Sequence, residues 1–186
     1  MQLVLASLSP RRKELLSRLA YPFEVRSFPT REFVDGELPA ERLPARNAEA
    51  KAAAVAERFP DAVVVGADTV IIFDGRIIGK PRDAEDAFRT LAALSGRTHE
   101  VVTGLALLRR RDGVREVWSE STAVTFKTLT PATIREYLRL VNVLDKAGSY
   151  ALQEHGDMLV ERVEGDPDNV IGLPLARLAE RLARLA

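Results

Sequence analysis

The sequence predicts a mixed α/β fold, a central sheet flanked by helices, and three observations carry that prediction. The chain opens on an apolar run at residues 2–6, a hydroxyl-rich turn, a helix at 10–19 and a second short strand at 23–27, the β-α-β start of a parallel sheet. Asp74-Gly75, between the apolar runs 70–73 and 76–78, marks a hairpin. Two long runs, 99–108 and 114–126, surround Arg111-Asp112-Gly113 and predict a curved antiparallel ribbon.

The elements follow in order. In the first helix Ser9 is the N-cap and Pro10 the first helical residue, because Pro lacks the N–H that would be orphaned there. Residues 29–44, rich in Pro, Glu and Arg and without a period, form a loop into an alanine-rich helix at 43–58 that carries Lys51. The run 62–65 reads as a strand that stops at Gly66-Ala67-Asp68-Thr69 and resumes at 70–73. Asp83 caps a helix that Ser95-Gly96 ends, Pro131 starts another reaching residue 140, residues 158–163 read as a strand, and Leu173-Pro174 opens a C-terminal helix. No repeat, low-complexity tract or linker divides the chain, so residues 1–186 are expected to form one domain with a central groove.

Composition narrows the function. Lys+Arg 27 balance Asp+Glu 27, so no overall basic field argues for nucleic acid or an anionic membrane, and any anion recognition is local. The chain has no cysteine, which excludes disulfides, thiolate metal sites and a cysteine nucleophile. The first strand begins within two residues, with no basic leader and apolar h-region, and no apolar run approaches the roughly 18 residues of a membrane span. A cytoplasmic protein with neither membrane nor nucleic-acid partner is the expectation.

The turn Ser7-Leu8-Ser9-Pro10-Arg11-Arg12 is built for an anion. Free N–H groups of the first helical turn point out of the helix end, where the dipole is positive, and Arg11 and Arg12 add fixed charge beside them. Stability alone would place Asp or Glu in that turn. Asp68 is the sharpest single candidate, since a carboxylate within a Val/Ile strand is costly unless paired or bound to a metal. It either orients or deprotonates a water, or ligates a divalent cation, or is a turn or bulge residue bonded to nearby N–H groups. Twelve residues on, Gly79-Lys80-Pro81 sets Lys80 in a stiff loop from which it can point back to the edge carrying Asp68. Lys51, on an alanine-dominated helix face, reads as solvated. In the segment 145–153, Gln153 offers a donor and an acceptor to a base edge, Gly148 allows close backbone approach to a ligand, and Tyr150 either packs on a base or fills the core. Residues 165–174 read as a tight turn before the last helix. His99 and His155 lack ligand spacing, and no P-loop, G-x-G-x-x-G or G-x-S-x-G motif occurs.

Taken together, Ala6-Ser7-Leu8-Ser9-Pro10-Arg11-Arg12, Val65-Gly66-Ala67-Asp68-Thr69-Val70, Gly79-Lys80-Pro81, Leu94-Ser95-Gly96, Asp145-Lys146-Ala147-Gly148 and Val170-Ile171-Gly172-Leu173-Pro174 resemble the Maf family of nucleoside triphosphate pyrophosphatases, in order and nearly end to end. The resemblance implies a mixed α/β sheet in two lobes around a nucleotide-binding cleft, similar to the inosine triphosphate pyrophosphatases. It also implies hydrolysis of a nucleoside triphosphate at the α-phosphate to the monophosphate and pyrophosphate, with Mg²⁺ or Mn²⁺, by a homodimer. Asp68 then matches the family's catalytic acid, the proton acceptor for water. Arg11, Thr69 and Gln153 match positions of substrate choice; Ser7, Ser9, Arg12, Lys51 and Lys80 match phosphate contacts; and Glu32 falls near an acidic position that joins Asp68 at the metal. Gln153 after Tyr150-Ala151 resembles the branch that prefers dTTP and UTP and takes related modified pyrimidine triphosphates, whereas the branch preferring 7-methyl-GTP differs there. Asp166 and Glu154-His155 depart from the family pattern, which has Ser and Gly respectively. Two further classes remain: a non-catalytic nucleotide-binding regulator linked to cell division, which would need no acid such as Asp68, and, last, a nucleic-acid-binding domain.

Overall fold

The computed structural model describes residues 1–185. The strands are β1 (Leu3–Leu5), β2 (Phe23–Val25), β3 (Val63–Phe73), β4 (Arg76–Ile78), β5 (Thr98–Arg109), β6 (Val114–Phe126) and β7 (Val160–Glu164). The helices are α1 (Pro10–Ser17), α2 (Leu43–Ala56), α3 (Ala84–Leu94), α4 (Pro131–Leu140), α5 (Pro167–Ile171) and α6 (Leu175–Ala183). The strands join in the order β2-β1-β3-β5-β6-β7, with β4 paired to β3. β1 is parallel to both β2 and β3, while β3/β4 and β6/β7 are antiparallel, so the sheet is mixed as its opening and its hairpin predict. Among the described residues no helix is long and apolar enough to cross a membrane.

The chain forms two compact units, residues 1–69, 103–120 and from 172 onward in the first, and 70–102 with 121–171 in the second. In the first unit the alanines of α2, with Val55, form its packing face: Ala48, Ala52, Val55 and Ala56 cluster with Val4, Val64 and Ala106 of the strands and Ala6 just past β1. Glycine permits this close approach. A Cβ on Gly66 would lie 2.1 Å from the Ala48 carbonyl oxygen, and one on Gly104 2.1 Å from the Ala45 nitrogen. In the second unit Leu91, Phe126, Ile134, Tyr137, Tyr150 and Leu159 belong to one buried cluster.

Two expectations change. β3 does not stop at Gly66: it runs unbroken from Val63 to Phe73, because Gly66 is there to admit α2 rather than to turn the chain, and Asp68, still within the strand, finds its partners on α2. The segment 165–174 is more than a turn, since Pro167–Ile171 makes a short helix held by the buried Asn169, whose Nδ2 donates to Val101 O and Thr122 Oγ1, both 2.9 Å away.

Candidate active site

The turn after β1 is organised as its sequence predicts. Ser9 caps α1, accepting from the Arg12 amide at 3.4 Å, and Pro10 begins the helix. Ser7, buried, accepts through Oγ from the Ser9 amide and from Arg12 Nη1, each at 3.3 Å. Arg12 also donates from Nη2 to Thr69 Oγ1 and from Nε to the Gly172 carbonyl, both at 3.0 Å. Thr69 Oγ1 lies 2.9 Å from Thr103 Oγ1. One guanidinium thus ties the anion turn, β3 and the start of the C-terminal segment. Burial lowers the Arg12 pKa from its ordinary value and the Asp68 charge opposes the fall; an arginine keeps its proton regardless. Arg11, partly buried, stands beside it in the first helical turn.

β1 pairs with β3 as far as Leu5 with Val65, after which the chain turns away and β3 runs on. Successive β3 side chains alternate between the faces of the sheet. Val64, Gly66 and Asp68 share the face that α2 covers, and Thr69 points to the face of Arg12. Lys51 and Asn47, one helical turn apart on α2, therefore reach Asp68 from the same side. Lys51 Nζ stands 2.7 Å from Asp68 Oδ1 and 2.7 Å from Glu32 Oε2, while Asn47 Nδ2 donates to Asp68 Oδ2 at 3.2 Å. Lys51 is not the solvated lysine its helix face suggests, for its side chain is 19% exposed and Asp68's is 15%. Ion pairing to two carboxylates, which a one-dimensional reading of α2 does not contain, holds it there. Glu32, 49% exposed, sits on the solvent side. Beside the cluster a pocket of about 480 Å³ is lined by Ser7, Leu8, Phe28, Thr30, Glu32 and Lys51, within the size range of small-ligand sites.

Asn47 was missed by sequence reasoning. Its one visible signal is an Asn one turn before Lys51 in a stretch, 45–54, whose other residues are the good helix formers Ala, Arg, Glu and Lys; Asn favours caps over helix interiors.

Asp68 and Glu32 are oxygen donors that converge on one cation, here the Lys51 ammonium, and such donors suit Mg²⁺ or Mn²⁺. Among the described residues no three acidic or histidine side chains cluster, so a divalent ion needs further oxygens, such as those of a bound phosphate.

Lys80 and Gln153 belong to the second unit. Lys80 is exposed, in the loop after β4, beside a pocket of about 380 Å³ that includes Asp86 and Arg89. Gln153 is exposed in the turn after Ala151. The Gly148 amide donates to Gly79 O at 3.1 Å, tying the Lys80 loop to the segment that leads to Gln153. Gly148 makes room for the core: it has φ +68°, and a Cβ on it would lie 2.3 Å from Ile71 Cδ1. Tyr150 is core as well, buried edge-to-face on Phe126 with its hydroxyl 2.8 Å from His99 Nε2. Lys146, buried, pairs with Asp145 at 3.0 Å and Glu154 at 3.4 Å and donates to Asn142 O.

The chain is similar to several curated proteins named dTTP/UTP pyrophosphatase. It is 48% identical to that of Akkermansia muciniphila over 92% of this chain and 90% of that protein. To that of Moorella thermoacetica it is 48% identical over 98% and 94%, and to that of Anaeromyxobacter sp. 49% over 98% and 89%. Among solved structures, the Staphylococcus aureus Ham1 protein overlaps 84% of this chain and 90% of its own at 14% identity, with a TM-score of 0.48, a likeness too slight to build on. The profile of the Maf family, described as Maf-like protein, matches residues 2–185. With relatives nearly half identical over almost its whole length, this chain belongs to the Maf family.

Proposed function

We propose that this protein hydrolyses dTTP and UTP, and modified pyrimidine triphosphates related to them, at the α-phosphate to the nucleoside monophosphate and pyrophosphate. The observation that carries the reading is the Asp68–Lys51–Glu32 cluster beside the anion turn of α1, in a chain nearly half identical to proteins named for that activity. An acid held next to a phosphate cradle is what separates a hydrolase from a nucleotide-binding regulator.

In this reading a water attacks the α-phosphorus, the bond from that phosphorus to the bridging oxygen breaks, and the electron pair leaves with pyrophosphate. Asp68 accepts the proton of the attacking water, or would serve as a ligand of the divalent ion. Ser7, Ser9, Arg12, Lys51 and Lys80 bind phosphate oxygens, and their charge stabilises negative charge moving onto the leaving group. Arg11, Thr69 and Gln153 choose the substrate, Gln153 by presenting a donor and an acceptor to the pyrimidine. Asp68 and Glu32 would hold Mg²⁺ or Mn²⁺, which would supply Lewis-acid neutralisation of the phosphates. Residues 1–186 act as one catalytic domain, in a cytoplasmic homodimer.

Purified protein is incubated with Mg²⁺ or Mn²⁺ and, separately, dTTP, UTP, CTP, ATP, GTP and 7-methyl-GTP, with pyrophosphate and orthophosphate measured apart. Pyrophosphate from dTTP and UTP, abolished by EDTA and by Asp68→Asn, is expected. Pyrophosphate mainly from 7-methyl-GTP overturns the role given to Gln153, and binding without release from any nucleotide overturns the enzyme reading.

A further inference from the structure

We infer that Asn47 is a positioning residue that sets Glu32 and Asp68 onto one cation position. The inference rests on the reading above, in which these two carboxylates hold the divalent ion, and it adds the element that brings them together.

Glu32 has no secondary structure of its own to place it. It stands in the long connection between β2 and α2, half exposed, and a glutamate there loses considerable backbone and side-chain freedom when ordered. What anchors the segment is the next residue. The Phe33 amide donates to Asn47 Oδ1 at 2.7 Å, and Asn47 Nδ2 donates back to the Phe33 carbonyl at 3.0 Å, so a single side chain satisfies both backbone groups of Phe33. The remaining N–H of that same Nδ2 reaches Asp68 Oδ2 at 3.2 Å, which leaves Oδ1 turned to Lys51. Beyond Phe33 the loop closes on itself: Glu37 accepts from the Val34 amide at 2.9 Å and pairs with Arg31 at 2.7 Å. Those contacts shape the loop but reach neither α2 nor β3.

Asn47 is 3% exposed. A buried amide is costly unless its donors and acceptor are met, and here each is met by the acidic loop or by the catalytic strand. A carboxamide is the side chain that does this, because it has one acceptor for the Phe33 amide and two donors, one for a carbonyl and one for a carboxylate. Leucine of similar size has none, and aspartate places a second negative charge against Asp68. The rigid part is α2, pressed against β3 at Gly66, so the register of Asn47 with Asp68 comes from the helix–sheet contact and is passed to Glu32 through Phe33.

Asn47→Ala and Asn47→Leu are compared with wild type, Asp68→Asn and Glu32→Gln in three measurements. These are Mn²⁺ affinity by electron paramagnetic resonance, with the metal alone and with inorganic phosphate added to supply the further oxygens, steady-state kinetics on dTTP, and hydrogen exchange at the Phe33 amide. Alanine continues the composition of α2, so Asn47→Ala keeps the helix even where leucine does not pack. Expected is a Mn²⁺ dissociation constant raised about tenfold or more, the usual effect of removing a group that orients a metal ligand. With it go a lower kcat at nearly unchanged KM and faster exchange at Phe33. A merely structural asparagine would lower the melting temperature and leave the Mn²⁺ affinity of the folded protein alone. Wild-type Mn²⁺ affinity and kcat in folded Asn47→Ala, with both lost in Asp68→Asn and Glu32→Gln, overturns the role of Asn47. Wild-type Mn²⁺ affinity in Asp68→Asn and Glu32→Gln instead overturns the metal assignment itself.

Discussion

A carboxylate inside a Val/Ile strand is costly until a cation meets it, and Lys51 is that cation for Asp68. The pair explains why an acid is tolerated in β3 and why it is available beside a pocket rather than sealed in the core. Asp68→Asn, close to isosteric, is expected to fold normally by circular dichroism and to lose pyrophosphate release by about 10²–10⁴-fold, the range for removing a general base. Arg12 tests the anion turn. Its planar fork meets Ser7, Thr69 and the Gly172 carbonyl at once, which an ammonium does not reproduce. Arg12→Lys is expected to raise KM for dTTP and to lower stability by about 1–3 kcal/mol in urea unfolding, because buried acceptors lose their donors. At this scale Asp68, Arg12 and the Ser9 cap were legible as residue types in a telling order. The ion pair of Lys51 was not, since its partners lie 17 and 19 positions away on other elements.

The α2–β3 contact is what turns residue types into a site. Gly66 lets the helix settle against the strand, and with it Asn47 and Lys51 come down on Asp68 two residues along. Gly66→Ala pushes a methyl group into the Ala48 carbonyl, backbone that can yield only if the helix moves. A loss of about 1–3 kcal/mol in urea unfolding is expected, as for overpacked cores. A fall in kcat should accompany it, because the displaced helix carries both partners of Asp68. The sequence marks Gly66 as a break in a strand, which is glycine's commoner meaning. Its use here for close packing depends on a helix some ten residues earlier in the chain and is visible only once the two are docked.

Across the whole molecule, acid stability is set in part by one buried histidine. His99 is 2% exposed, its Nε2 bonded to the Tyr150 hydroxyl and its ring edge-to-face on Phe126, and burial drops its pKa from 6.5 to about 4. The folded state therefore binds fewer protons than the unfolded chain between those values. Stability from the neutral ring is complete above pH 6.5 and is lost as the pH falls toward 4, by about 3 kcal/mol at most. Urea midpoints at pH 7, 5.5 and 4.5 should fall more steeply for wild type than for His99→Phe, which has no proton to gain. Parallel curves for the two proteins would remove His99 from the account.

Local chemistry by itself determined the mixed α/β class, most strands and helices, the capped turn at Ser9-Pro10 and the candidacy of Asp68. Periodicity, caps and hairpin residues act within a few positions of one another, and a charge in an apolar strand stands out against its immediate neighbours. Tertiary structure decided that β3 is continuous, that Lys51 is paired and Tyr150 is core, that Gly148 clears space for Ile71, and that Asn47 joins the acidic loop to the strand. The physical reason is the same in each case: burial, ion pairing and steric exclusion are properties of surfaces brought together by folding, and no stretch of sequence contains both surfaces.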